Sequence, residues 1–267
     1  MLRFVMMTDV ELARAAALAG GAVVRDMFGG PGERLEKGGG DFATAADVAA
    51  ERAVTDVIRA ARPDDAVTGE EGGRSGPSGA ERMWLVDPLC GTLNYAVRSP
   101  LVSVNVALRA GRDVTAAAAA DPFAGEVFWT DGVRACLRRD GVDEPLRPSP
   151  DSNLVEVNLD PPFPNAPGFR AAALLADPGF GARFRPRVLS TTLAVAWVAA
   201  GRRAAYVTDG RMHDNVHFAA GIAVCRAAGC VVTGLDGRPS LTGSGGLVVA
   251  SDDETHAALL ELVGSLR

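Results

Sequence analysis

The sequence predicts an α+β fold built from two joined halves, and three patterns point to it. Two helical stretches open the chain. A run of short alternating strands occupies roughly residues 66–137, and beyond a proline-rich segment strands and helices alternate again. The boundary expected between the halves falls in Pro145 to Pro150, which divides the chain into residues 1–146 and 147–267.

The elements follow in order. From Asp9 to about Met27 the residues Val10, Leu12, Ala13, Ala16, Val23, Val24 and Met27 recur near helical spacing, with Thr8 or Asp9 placed to cap the start. A glycine-rich stretch leads to Asp47, at or near the start of a second helix carried by Val48, Val54, Val57 and Ile58 and stopped before Pro63. Strands are expected at Ala66 to Thr68 and Met83 to Val86, each followed directly by acidic residues in a turn, Glu70-Glu71 and Asp87. Alternation from Val102 to Leu108, then at Thr115 to Ala120, Glu126 to Thr130 and Arg134 to Leu137, suggests a largely antiparallel sheet. Past the boundary, Leu154 to Asn158 reads as strand, Ser190 to Ala200 as helix and Ala204 to Val207 as strand. Asp214 is expected to open a helix running to Gly229. Strands near Cys230 to Thr233 and Leu247 to Ala250 and a terminal helix after Asp252 complete the chain.

With 267 residues, 48% of them hydrophobic, the chain can bury a full core. A formal charge of -6 argues against nucleic acid as a partner, because a phosphate backbone demands a basic surface. No apolar run reaches membrane-spanning length. The four cysteines, Cys90, Cys136, Cys225 and Cys230, show no metal-finger spacing, and a cytoplasmic protein with reduced thiols is expected.

Asp47, Glu70, Glu71 and Asp87 all lie at element ends, where Asp and Glu also collect for capping reasons. Gathered around a hard divalent cation, the same carboxylates could hold phosphate oxygens and activate water. Three motifs favour the second reading. Gly69-Glu70-Glu71 and Trp84-Leu85-Val86-Asp87-Pro88-Leu89-Cys90-Gly91-Thr92-Leu93-Asn94-Tyr95 resemble the inositol monophosphatase-like signature, GEE followed by W-[IV]-[IV]-D-P-[IL]-D-G-T-x-N-F. DFATAADVAAE, from Asp41 to Glu51, is similar to the family's D-x-V-T-x-x-D-x-x-x-E. Val198 to Gly201 and Ala219 to Gly229 match two downstream blocks.

The resemblance implies a five-layer αβαβα sandwich, usually a homodimer using Mg2+, that hydrolyses a small phosphate monoester (sugar, polyol or nucleotide type) by direct water attack. Carried over position by position, Glu70, Asp87 and the carbonyl of Leu89 would bind a metal. Asp47 and Thr92 would orient or deprotonate the water, with Glu70 completing the catalytic set. The amides of Gly91 and Thr92 would receive phosphate. Lys37, the only lysine, falls near a substrate-side loop, Ser190 matches a substrate-side segment, and Asp209 is the one substitute in reach of the family's polyol-holding glutamate, which is absent after Tyr206.

Two positions depart from the pattern. Cys90 stands where the family has a second-metal aspartate. A count back from Ala219-Ala220-Gly221 puts His217 at the other, with Asp214 three residues earlier. Thiolate and imidazole suit Mg2+ poorly and Zn2+ or Mn2+ better. Three arrangements stay open: a site for one metal; a nitrogen, sulfur and oxygen site for a softer ion; and a Cys90–His217 pair with Asp214 as orienter. An impaired or repurposed member that binds an anionic metabolite is the alternative to a phosphatase.

Overall fold

A computed structural model describes residues 7–30, 34–38, 41–159, 169–210, 212, 215–239 and 245–267. The first helix, α1 (Asp9–Asp26), starts where Thr8 accepts from the Glu11 amide while the Glu11 carboxylate returns to the Thr8 amide. After a hairpin of β1 (Arg34–Gly38) and β2 (Asp41–Thr44), α2 (Ala45–Ala61) begins with a second reciprocal cap between Thr44 and Asp47. Asp47 is thus in the first turn of α2, fully buried.

The next strands form one eight-stranded sheet. They are β3 (Ala66–Gly69), β4 (Gly73–Ser75), β5 (Arg82–Cys90), β6 (Ser103–Ala110), β7 (Asp113–Asp121), β8 (Glu126–Thr130), β9 (Ala135–Arg139) and β10 (Val142–Pro145). Their order is β10-β9-β8-β7-β6-β5-β3-β4, antiparallel throughout except where β3 runs parallel to β5. That parallel pair matters for the site, because it delivers the residues after β3 and the end of β5 to the same edge of the sheet. A short helix, α3 (Thr92–Ala96), follows β5 directly.

Residues 146–153 carry the chain to a second sheet. Its members are β11 (Leu154–Asn158), β12 (Arg185–Val188), β13 (Ala205–Thr208), β14 (Val231–Thr233) and β15 (Leu247–Ala250), in the order β12-β11-β13-β15-β14. Helices α4 (Ala172–Ala176), α5 (Pro178–Arg183), α6 (Leu193–Ala199), α7 (Val216–Ala228) and α8 (Asp253–Ser265) complete the chain.

The layers follow from which faces are apolar. Leu12, Ala16, Val54 and Ile58 pack α1 and α2 on one face of the large sheet against Trp84, Val104 and Ala118. On the other face Leu85, Ala117 and Phe128 meet Val195, Phe218 and Ile222 of α6 and α7, which also touch Tyr206 and Val249 of the second sheet. Beyond that sheet Leu174, Phe180 and Leu259 of α4, α5 and α8 cover Val155, Val207 and Val248. The result is the expected five-layer αβαβα sandwich, with α6 and α7 as the middle layer.

Most expected elements form within a residue or two of their predicted ends. One boundary shifts: α7 begins at Val216, later than expected, and Asn215 caps it, its Oδ1 accepting the His217 amide at 2.9 Å. Asp214 itself, with His213, lies outside the described residues. The β1–β2 hairpin, β4, β10, β12, α4 and α5 carry too few periodic residues to be read from pattern, whereas the resemblance placed a helix directly after Gly91, where α3 forms.

Candidate active site

The carboxylates converge because three element ends meet. At the start of α2, Asp47 Oδ2 accepts from the Thr44 amide at 2.8 Å and the Thr44 hydroxyl at 2.5 Å. Its other oxygen faces the Thr92 hydroxyl at 3.0 Å. The same hydroxyl lies 3.2 Å from the Leu89 carbonyl and has one proton to give. Burial pushes the Asp47 carboxyl above its usual range, opposed by the Thr44 and Thr92 hydrogen bonds.

The turn after β3 is held from behind by Glu51, which received no role from the sequence. Its carboxylate accepts the Glu71 and Gly72 amides, both at 2.7 Å. A Cβ on Gly69 would collide with that carboxylate and push it away from the two amides it accepts. Glu70 and Glu71 then project forward to Lys37, whose Nζ donates to them at 2.9 and 2.7 Å. Burial alone would lower the Lys37 pKa, but the two carboxylates raise it well above its ordinary value.

At the end of β5 the strand register shifts between Asp87 and Cys90, where Pro88 can donate nothing to the ladder. Asp87 is fully buried; its Oδ1 accepts the Leu89 amide at 3.2 Å. Its Oδ2 meets Asn105 Nδ2 at 3.3 Å and His217 Nδ1 at 2.9 Å. Asn105 was also missed: it bridges Asp87 to the hydroxyl of Thr192, in the Ser190 segment whose place near the substrate the resemblance implies, at 2.8 Å, while the Thr192 amide points at Cys90 Sγ at 3.4 Å. Asn105 Oδ1 is a buried atom with no hydrogen-bond partner among the described residues.

His217 is the pivot of this cluster. It lies 3.7 Å from Glu70 Oε2 as well as beside Asp87, and its ring, Asp87 and Cys90 bring their ligand atoms within 4.8 Å of one another. Burial disfavours its charge, yet Asp87 and then Cys90 and Glu70 raise its pKa well above 6.5. Burial and the Asp87 charge push Glu70 up to about 8, against the pull of His217 and Lys37. Burial, again with Asp87, pushes the Cys90 thiol up to about 11. A thiol so disposed is a poor free nucleophile at neutral pH, which weighs against the Cys90–His217 covalent arrangement.

The remaining predicted residues lie around this centre. Gly91 turns the chain with φ at 103°, and a Cβ there would meet the Leu101 carbonyl at 2.8 Å, before α3 starts at Thr92. Asn94 Nδ2 donates to both the Leu101 and Ser190 carbonyls at 2.9 Å, so what ties Ser190 to the Gly91 turn is its backbone. Asp209, buried at the end of β13, is 3.8 Å from Arg170. No contact joins it to Glu70, Asp87 or His217 among the described residues.

A five-layer sandwich whose carboxylates meet at the ends of parallel strands, beside a hydroxyl held by a buried aspartate, defines a metal-dependent phosphatase scaffold. The sequence profile of the inositol monophosphatase family matches residues 6–267. The chain is similar to an inositol-1-monophosphatase from Caulobacter vibrioides, 30% identical and covering 94% of this chain and 98% of the relative. It is also similar to the Nus factor SuhB of Escherichia coli, 32% identical over 95% of each chain. Among solved structures, inositol monophosphatase from Anabaena superposes with a TM-score of 0.75 at 25% identity, covering 97% and 96% of the two chains. The extragenic suppressor protein suhB of Bartonella henselae gives a TM-score of 0.80 at 23% identity, covering 93% and 95%. The chain belongs to the inositol monophosphatase family, and by that membership is a hydrolase of phosphate monoesters.

The family is metal-dependent, generally with Mg2+, and the donor atoms here fit that ion only in part. Glu70, Asp87 and the Leu89 carbonyl offer oxygens that suit a hard cation. Cys90 and His217 offer sulfur and nitrogen, which fit a borderline ion such as Zn2+ and not a second Mg2+.

Proposed function

We propose that this chain hydrolyses a small sugar, polyol or nucleotide-type phosphate monoester by direct attack of water, using Asp47 and Thr92 to prepare that water. The observation that carries the reading is the Thr92 hydroxyl held 3.0 Å from the buried Asp47 carboxylate. Thr92 aligns the water, and as the water attacks, its proton passes to the Thr92 hydroxyl while Thr92 hands its own proton to Asp47, whose raised pKa makes it a better base than an exposed aspartate. The Gly91 and Thr92 amides receive phosphate oxygens, with Lys37 and Ser190 at the rim; Asp209 serves the substrate only if it leaves Arg170.

Glu70, Asp87 and the Leu89 carbonyl would hold the cation, with Cys90 and His217 drawing the preference toward Zn2+ or Mn2+. Such an ion supplies a Lewis acid for phosphate and a lower pKa for bound water. For His217 and Cys90 to join it they must give up protons, so occupancy rises with pH. The two halves, 1–146 and 147–267, form the cleft between them in this reading. The protein acts as a homodimer, as the resemblance implies, and in the cytoplasm, as its cysteine pattern suggests.

A second reading is favoured by one observation. Lys37 and His217 already pair with Glu70, Glu71 and Asp87, so the protein's own cations can stand where metal charge is needed. Such a member would bind an anionic metabolite without turning it over. Phosphate release from a panel of sugar, inositol and nucleotide monophosphates with Mg2+, Mn2+ or Zn2+ separates the two. Turnover that disappears in Thr92→Ala supports the phosphatase. Inertness with every ion, together with activity gained by Cys90→Asp and His217→Asp, overturns it in favour of the binding protein.

A further inference from the structure

Between Asp87 and Cys90 the ladder of the large sheet is broken. Asp87 is paired with Asn105 and Cys90 with Ser103, so three steps along β5 answer two along β6 and one residue is extra. Backbone pairing therefore does not set the spacing of the carboxylate and the thiol, although their ligand atoms and that of His217 all lie within 4.8 Å of one another. A set of side-chain contacts takes over. Ser103 and Asn105 are two apart on β6 and share a face. Thr192, the residue before α6, lies over both: its hydroxyl accepts from Asn105 Nδ2 at 2.8 Å and is 3.3 Å from Ser103 Oγ, while its amide points at Cys90 Sγ at 3.4 Å.

The second hydrogen of the Asn105 amide goes to Asp87 Oδ2 at 3.3 Å. One planar group thus spans from the carboxylate to the residue whose amide meets the thiol, and ties β6 to the start of α6. Ser103, Asn105 and Thr192 are all buried, and Asn105 Oδ1 meets no partner among the described residues, so the amide is held by its two N–H groups alone. It cannot be reversed, because its oxygen would then face the Asp87 carboxylate. Alanine here would donate nothing, and serine has one proton for two acceptors. Asparagine is the short neutral side chain that gives two N–H donors from one plane. The hydrolytic reading gives this residue no task, since Asn105 belongs neither to the Asp47–Thr92 pair nor to the donor atoms of the cluster.

We propose, on the reading that Cys90 shares an ion with Asp87, that Asn105 is a positioning residue for the cation: with Thr192 it sets the Asp87 carboxylate and the Cys90 thiol at the spacing at which both bind one borderline ion. The probe is Co2+, which takes the same donors as Zn2+ and gives a near-ultraviolet charge-transfer band when a thiolate binds it. Chelator-treated protein titrated with Co2+ should develop that band, and Cys90→Ser should abolish it. In Asn105→Ala, Co2+ affinity should fall about tenfold or more and the band per bound ion should weaken, as when a group that orients a metal ligand is removed. Thr192→Val takes away the accepting hydroxyl and keeps the amide, and should act in the same direction. The two changes together should weaken binding no more than about twofold beyond Asn105→Ala alone, because they break one linkage.

An Asn105→Ala protein whose affinity stays within about twofold of the natural one, with the band per bound ion unchanged, overturns the positioning role and leaves the cation reading standing, even where its melting temperature falls. Losses that multiply in the combined variant show two independent contributions and overturn the role as well. Should Asn105→Ala fail to fold, Thr192→Val decides, and an unchanged band there overturns it. Absence of a Cys90-dependent band in the natural protein overturns the shared ion itself, and the positioning role with it.

Discussion

The two sides of the cleft differ in how closely they keep to the chemistry of the family motif. On the α2 side, Asp47, Thr44 and Thr92 form a closed set of hydrogen bonds between 2.5 and 3.0 Å, every acceptor a hard oxygen. On the α7 side, carboxylates that would repel one another are quieted by the protein's own His217, and a thiol stands among them. In the proposed mechanism the α2 side handles the attacking water. The other offers nitrogen and sulfur where the motif has oxygen ligands, and the contrast teaches that proton handling and cation choice can separate within one site.

The largest effect should come from breaking the oxygen-based side. Asp47→Asn keeps an oxygen for the Thr44 cap but removes the base. Turnover should fall by about 10²–10⁴-fold, the usual span for general-base loss, with unchanged far-ultraviolet circular dichroism. A loss under about threefold would mean that the Asp47–Thr92 pair is only a helix cap.

On the other side, Cys90→Asp combined with His217→Asp should move the ion preference rather than abolish binding. Calorimetric titration should show Zn2+ affinity lowered about 10–100-fold and Mg2+ affinity raised, since each replacement trades a softer donor for an oxygen. Unaltered Zn2+ affinity would place the ion elsewhere. Between the two sides sits Glu51. Glu51→Gln turns one of the two accepting oxygens into an NH2 donor and so leaves either the Glu71 or the Gly72 amide without its acceptor; metal affinity should drop about tenfold while turnover at saturating metal changes less.

Acidity separates the sides again. Glu70, at about 8 instead of 4.5, and His217, raised well above 6.5, both bind their protons more tightly in the folded chain than in the unfolded one. Their contribution to stability is therefore full below pH 4.5 for Glu70 and below 6.5 for His217, and is lost as pH rises through the folded values. Chelator-treated protein should lose about 5 °C or more in melting temperature between about pH 5 and pH 9, read by differential scanning fluorimetry. Zn2+ should restore more at about pH 8 than at pH 6, because ligands must lose protons to bind. A melting temperature that climbs with pH in the metal-free protein would contradict the protonated cluster.

How much of this could be read beforehand depended on distance along the chain. The turns holding Glu70 and Asp87 were legible because strand ends, glycine and proline leave local marks, whereas the turn at Gly91 was legible only from the family motif. The Asp47 position was legible from the motif, although its cap with Thr44 is purely local and needed no motif at all. Glu51 was invisible as a clamp because its partners lie 20 and 21 residues away, and nothing local distinguishes it from a solvated helix glutamate. Asn105 and Thr192, 87 residues apart, meet only when the large sheet and α6 pack. His217 reached Asp87 across 130 residues, and only the spacing back from Ala219-Ala220-Gly221 pointed to it. Asp214 was expected to open this helix, and the side chain of Asn215 does the capping.

The smallest effect should fall on Ser190, and it sharpens the comparison by separating side chain from backbone. Asn94 Nδ2 holds the Ser190 carbonyl and the Leu101 carbonyl together, and that bracket fixes the turn at Gly91 whose amides would meet phosphate. Ser190→Ala leaves the bracket intact and removes one hydroxyl, so kcat should be unchanged and KM should rise by no more than about tenfold, one lost hydrogen bond. Asn94→Ala removes the bracket and should lower kcat and kcat/KM together, because a carbonyl pair is left without its donor and the turn is free to shift. If Ser190→Ala proved the more damaging of the two, the hydroxyl would be in direct contact with the reacting phosphate, and the working side of the cleft would have to be extended from α2 and α3 to the start of α6.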